Sequence, residues 1–143
     1  MDTSRLESSL KQHEGFNEFC YKDSLGWYTV GYGRCIDKSK GPGISEEEAL
    51  YLLRNDIESA AKSLQNYAWY NTLDDIRKCV IIELVFNMGL RNLLGFTKTI
   101  ALITKKDFKE ASIELLNSQW AKQVGVNRSG DVAYRLEHGN YRP

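Results

Sequence analysis

Glu14, Asp23 and Thr29 stand close together near the N-terminus of a 143-residue chain, within EGFNEFCYKDSLGWYTVGYG. Eight residues separate the glutamate from the aspartate, and five separate the aspartate from the threonine. Breaking a sugar–sugar bond takes a carboxylic acid that protonates the leaving oxygen. It also takes a second carboxylate, which either attacks the anomeric carbon or directs a water onto it. Glu14 suits the acid, because partial burial beside Gly15 and nearby aromatic residues would favour a retained proton. Asp23 suits the ionised partner in a solvated turn. The Thr29 hydroxyl donates and accepts, as a water-holding group must.

Local signals explain how these three come together. Leu6 and Leu10 are four residues apart, so a helix over 3–13 puts them on one face. Glu14-Gly15 ends that helix, since glycine tolerates left-handed cap geometry. From 16 to 36, aromatic and β-branched residues cut by Gly26, Gly31 and Gly33 predict two or three short antiparallel strands. Asp23-Ser24-Leu25-Gly26 is a turn. After a loop at 37–43, Ser45 and Glu48 form a capping box. The helix it opens places Leu50, Leu53, Ile57, Ala60 and Leu64 at helical spacing. Thr72 with Asp75 reads as a second box. Residues 76–88 are apolar nearly all round and predict a buried helix with Cys79 in the core. Shorter helices follow at about 96–103, 107–117, 118–124 and 128–137.

The expected class is α+β: one domain over 1–143, with a small antiparallel sheet in an N-terminal lobe of about 14–60. A mostly helical C-terminal lobe of about 72–143, grouped with the first helix, is joined to it by a long helix. A cleft between two such lobes suits an elongated substrate. The chain carries 19 basic and 19 acidic side chains. That balance argues against nucleic acid as a partner. No apolar run is long enough to span a bilayer, and the polar N-terminus lacks the form of a secretory signal. Stable membrane insertion is therefore not expected, and the cytoplasm is the expected place of synthesis. Cys20, Cys35 and Cys79 are odd in number and at no metal spacing, so reduced thiols are expected. Cys20–Cys35 is the one conceivable bridge.

Glu14-x8-Asp23-x5-Thr29, with Tyr21-Lys22-Asp23 and Thr29-Val30-Gly31-Tyr32-Gly33, resembles the signature of the T-even-phage-type lysozymes and endolysins, glycoside hydrolase family 24. The likeness continues through Asp75-x-Arg77-Lys78-Cys79, Val85-Phe86-Asn87-Met88-Gly89, Gly95-Phe96-Thr97, Ser118-Gln119-Trp120 and Asn127-Arg128. It implies a lysozyme-like two-lobe fold. It also implies hydrolysis of the β-1,4 bond between N-acetylmuramic acid and N-acetylglucosamine. Glu14 would be the acid, with Asp23 and Thr29 placing the water for inversion. Arg128 would pair with Glu14 in the resting enzyme. Phe86 and Thr99 match positions lining sugar subsites. No metal or organic cofactor is implied. A monomer made in the bacterial host cytoplasm would reach the periplasmic wall through a separate holin-type pore, and a virion-associated lysozyme is the other setting.

Other residues have plainer readings beside these. Tyr32 lines the expected cleft, and Glu114, Glu18 and Asp37 are alternative carboxylates. Trp27 and Tyr28 offer stacking surfaces, whereas His13 and His138 read as surface. Trp120 reads as core, its indole N–H bonded to Asn87. Compared with the family pattern, the stretch from Cys35 to Ser45 is short, as if a helix were missing. Arg34 stands where a histidine is familiar, and Glu83 where a neutral amide is expected, which suggests an Arg34–Glu83 ion pair. Two rival functions remain. A lytic transglycosylase cleaves the same bond but needs no second carboxylate, and a sugar-binding module would be catalytically dead. The pairing of Asp23 with Thr29 favours hydrolysis.

Overall fold

Ser45 and Glu48 satisfy each other as the sequence predicts. The Glu48 N–H donates to Ser45 Oγ at 3.1 Å and the Ser45 N–H to Glu48 Oε1 at 2.9 Å. They open α2, Glu46–Leu64. The structure, a computed structural model, describes residues 1–143. Its order is α1 (Ser4–Glu14), β1 (Asn17–Lys22), β2 (Tyr28–Gly31), β3 (Arg34–Cys35), α2, α3 (Ala68–Asn71), α4 (Asp75–Met88), α5 (Leu90–Leu94), α6 (Thr97–Thr104), α7 (Phe108–Leu116), α8 (Gln119–Val124) and α9 (Val126–His138). The α+β class holds. Nothing helical or extended lies between Cys35 and Glu46, in keeping with the short lobe.

By its internal contacts the chain divides into two compact units, Met1–Leu52 and Leu53–Pro143, with the division falling inside α2. The first unit includes α1, which the sequence pattern groups with the helical lobe. Its antiparallel sheet has the order β1-β2-β3. Thr29 on the central strand pairs with Tyr21 on one side and Cys35 on the other, so these three side chains share a face. Cys20, next to Tyr21, points to the opposite face, and all three cysteines are free. Leu6 and Leu10 do not bury: no residue of α1 is buried. Two leucines give α1 too narrow a stripe. On its surface Glu7 pairs with Lys11 at 2.9 Å, and the Asp2 carboxylate accepts from the Ser4 N–H.

The second unit holds the hydrophobic core. Leu64, Val80, Ile81, Leu84, Leu115 and Leu136 are among its most deeply buried members. Only Ala60 and Leu64 of α2 are buried; Leu50, Leu53 and Ile57 stay exposed although they follow the apolar spacing. Two expectations for α4 are corrected. Cys79 is exposed, because the buried stripe is set by Val80, Ile81, Leu84 and Val85. The cap is Asp74, whose carboxylate accepts from the Arg77 N–H at 3.0 Å, while the Thr72 hydroxyl is turned to the Trp69 carbonyl. Arg77 also closes the far end of α9. It donates from Nε to the Leu136 carbonyl and from Nη2 to that of Glu137, each at 2.6 Å, with its guanidinium 3.7 Å above the Phe108 ring. Those carbonyls are among the orphan acceptors of a helix end.

Candidate active site

Asp23 is held by its own turn. Its Oδ1 accepts from the Leu25 and Trp27 N–H groups, both at 2.9 Å. This Asx-type turn leaves Oδ2 with open lone pairs. The Trp27 carbonyl accepts in return from two groups, the Asp23 N–H at 2.9 Å and the Thr29 hydroxyl at 3.0 Å. One carbonyl thus ties the turn aspartate to the strand threonine. Thr29 is buried at the centre of the sheet, and its hydroxyl proton is committed to Trp27. Only its lone pairs remain for a ligand.

Glu14 is the last residue of α1 and is exposed, not half-buried as the aromatic neighbours suggest. Phe16 turns its ring to Tyr32 instead, with centroids 5.6 Å apart. Gly33, in the turn between β2 and β3, leaves the space that the Glu14 carboxylate occupies. A β-carbon at Gly33 would stand 2.7 Å from Glu14 Oε2 and 2.9 Å from its carboxyl carbon. Gly33 also holds φ at 75°, where side chains are strained. The first unit therefore carries Glu14, Asp23 and Thr29 on three neighbouring segments: the end of α1, the β1–β2 turn and β2. Asp37, an alternative carboxylate, serves its loop. It accepts from the Ser39 N–H at 3.0 Å and the Tyr28 N–H at 3.3 Å, and these bonds, the Ser39 one foremost, lower its pKa.

Arg34 and Glu83, expected to pair with one another, each take a partner within their own unit. Arg34 makes a two-pronged pair with Glu48, Nη2 to Oε2 at 2.7 Å and Nη1 to Oε1 at 3.3 Å, and donates to the Gly43 carbonyl. Glu83 instead meets Arg135 at 2.8 Å and the Arg128 Nε at 3.7 Å. Arg135 is buried and also reaches Asp131 at 3.0 Å, one helical turn earlier. Arg128, expected to pair with Glu14, therefore has Glu83 as a carboxylate neighbour in its own unit.

The remaining candidates fall as follows. The Trp120 indole donates to Asn87 Oδ1 at 2.8 Å, as expected, and Trp120 is buried. Phe86 is half exposed and lines a groove. Tyr32 is half exposed and close to Lys11, whose ammonium lies 5.9 Å from its ring centre. Thr99 is buried, as Thr29 is. Glu114 is paired with Lys98 at 2.9 Å, so a sugar hydroxyl would compete with an ammonium. Two roles were not read from the sequence: Gly33 as the seat of Glu14, and the Trp27 carbonyl as the shared acceptor. The doubled glycine of Gly31-Tyr32-Gly33 was the signal for the first. The second has no side-chain signal, because it is backbone.

Comparison with known proteins gives a consistent result. The family described as Phage lysozyme matches residues 11–137. "Probable T4-type lysozyme 1" of Dictyostelium discoideum is 33% identical, over 95% of this chain and 95% of that protein. "Probable T4-type lysozyme 2" of the same organism is 34% identical, over 97% of each. An "Endolysin" of Acyrthosiphon pisum secondary endosymbiont phage 1 is 30% identical, over 79% of this chain and 75% of that one. The first alignment runs to 163 positions, more than the 143 residues here, so that relative carries insertions.

Proposed function

The chain belongs to the phage lysozyme family, and from that premise we infer that it is a lysozyme, hydrolysing the β-1,4 bond between N-acetylmuramic acid and N-acetylglucosamine in bacterial peptidoglycan. Which residues do this, and how, is our own reading. Glu14 protonates the leaving oxygen. Asp23 and Thr29 direct the water. The observation that carries this is the Trp27 carbonyl, which binds the Asp23 N–H and the Thr29 hydroxyl together. With that proton committed, Thr29 acts as an acceptor, and Asp23 offers Oδ2 as another. Two acceptors take the two protons of one water and leave its lone pair for the anomeric carbon. Water attack from the face opposite the acid gives inversion.

Tyr32, Phe86, Thr99 and Glu114 are the proposed glycan contacts, with Glu114 the weaker because of its pairing with Lys98. Asn87 and Trp120, joined by the indole bond, are proposed as supporting residues within the second unit. Arg128 Nε lies 3.7 Å from Glu83, and its two Nη groups remain for other acceptors. The enzyme works as a monomer without a cofactor.

No helix is long and apolar enough to cross a membrane. For the biological setting we propose a phage endolysin, made in the host cytoplasm and released to the periplasmic wall through a holin-type pore. The Dictyostelium discoideum relatives, matched over more of the chain than the endolysin, favour a second setting with the same chemistry, a lysozyme outside phage lysis. Product analysis tests the reaction. Digested peptidoglycan should yield reducing ends, released first as the α-anomer. Ends in the 1,6-anhydro form would mean a transglycosylase, and a first-formed β-anomer would mean retention.

A further inference from the structure

Arg34 directly follows Gly33 and opens β3, and its guanidinium is bonded to the loop before α2 and to the first turn of that helix. We propose that Arg34 is a positioning residue for the acid. By anchoring the Gly31–Gly33 turn to the start of α2, it keeps in place the room beside Gly33 that the Glu14 carboxylate occupies. The proposal rests on the reading of Glu14 as the acid of a lysozyme. It adds to that reading a residue that acts through the turn, without touching the reacting atoms.

The turn needs such an anchor. Gly31 and Gly33 hold φ at 67° and 75°, and glycine is free to leave such conformations. β3 is only two residues long, and it meets β2 through Thr29↔Cys35 and Val30↔Arg34 alone. The Arg34 side chain adds the missing fixed points. Nη2 donates to Glu48 Oε2 at 2.7 Å, and Nη1 donates to Glu48 Oε1 at 3.3 Å and to the Gly43 carbonyl at 3.1 Å. A planar fork on a carboxylate sets direction as well as distance. Glu48 is itself held, since its Oε1 accepts from the Ser45 N–H at 2.9 Å and its N–H donates to Ser45 Oγ at 3.1 Å. At the other end of the turn the tolerance is small. A β-carbon on Gly33 would stand 2.7 Å from Glu14 Oε2, so movement of the turn towards Glu14 would displace the carboxylate. As a stability device the pair is weak: the Arg34 and Glu48 side chains are 41% and 42% exposed, and exposed pairs add little to folding. Its effect is to fix where the turn beside the acid lies.

The test is steady-state cleavage of soluble peptidoglycan strands, with melting curves, for wild type, Arg34→Ala, Arg34→Lys, Glu14→Gln and the double variant Glu14→Gln with Arg34→Ala. Arg34 is on the surface, so Arg34→Ala should fold and melt within about 5 °C of wild type. Its kcat should fall about five- to twentyfold, a fraction of the roughly 10²-fold that an ångström of misplacement can cost, while KM stays within about twofold. Arg34→Lys keeps a charge for Glu48 but not the fork, and should regain part of the lost kcat. With Glu14→Gln in place, Arg34→Ala should lower the residual kcat by less than about twofold, because no acid is left to position. A folded Arg34→Ala enzyme with wild-type kcat would overturn the proposal. So would an equal fold-loss with and without Glu14→Gln, since the effect would then not pass through the acid. In both cases the wild type still cleaves and the lysozyme reading stands. A wild type that cleaves no strand would remove that reading, and the positioning role with it.

Discussion

The carboxylate of Glu14 lies against the α-carbon of Gly33, so close that an added methyl group would stand 2.7 Å from Oε2. Gly31, two residues earlier, shares the positive φ, 67° against 75°, yet a β-carbon there meets nothing within 4 Å. The pair separates backbone strain from displacement of the acid. Both Gly→Ala variants should lose about 1 kcal/mol of stability, read as similar falls in Tm. Gly33→Ala alone should lose most activity, about 10²-fold, because misplacement by an ångström is costly in catalysis. Equal activity in the two variants would free Gly33 from any role at Glu14.

Asp23 does two jobs, and substitution can divide them. Asn keeps an oxygen for the Leu25 and Trp27 N–H groups and loses the charge. Asp23→Asn should therefore melt within about 1 kcal/mol of wild type while losing at least about 10²-fold in kcat. Thr29→Val removes the bond to the Trp27 carbonyl and should lower both quantities, whereas Thr29→Ser restores the hydroxyl and should recover much of kcat. An active Asp23→Asn enzyme would point to a different water-directing group.

Glu83 is tested by stability. It faces Arg135, whose side chain is only 7% exposed and whose Nε is buried without a partner. Glu83→Ala should cost about 1–3 kcal/mol in a denaturant titration, since Asp131 remains as the sole carboxylate on a buried charge. Glu83→Ala together with Arg135→Met should recover part of that loss. If the double variant falls by the sum of the two single losses, the pair does not couple.

Asp74 gives a pH signature. Burial pushes its carboxyl up as the largest single influence, but the Arg77 backbone N–H and then the guanidinium, 2.9 Å away, together outweigh it and lower the pKa below the ordinary 3.8. A carboxyl depressed in the folded state adds stability above its unfolded value, and that stability is lost as pH falls. The Tm gap between wild type and Asp74→Asn should be constant above about pH 5 and close below about pH 4. A gap that persists unchanged to pH 2 would show that the carboxylate charge contributes nothing.

What the sequence disclosed was mostly local. The Ser45–Glu48 box, the Asp23 turn and the Trp120–Asn87 bond emerged as read. The partners of ionised side chains did not. Arg135 lies 52 residues from Glu83 and Glu48 lies 14 from Arg34, distances over which no periodicity operates. Thr72 and Asp74 both suit a cap, and only the backbone path chooses between them. Cys79 shows the limit of composition: in a helix apolar nearly all round, the packing partners decide which face is buried. Glu14 was found by spacing, but the room its carboxylate takes beside Gly33 is visible only in three dimensions.

The most direct test of Glu14 as the acid is the rate of turbidity loss of outer-membrane-permeabilised cells, wild type beside Glu14→Gln, with the two melting curves recorded together. Glu14 is exposed, so the variant should fold and melt as the wild type does. General acid catalysis is typically worth about 10²–10⁴-fold, so lysis should fall to about 1% of wild type or below. A folded Glu14→Gln enzyme that clears cells faster than that would contradict the assignment of the acid.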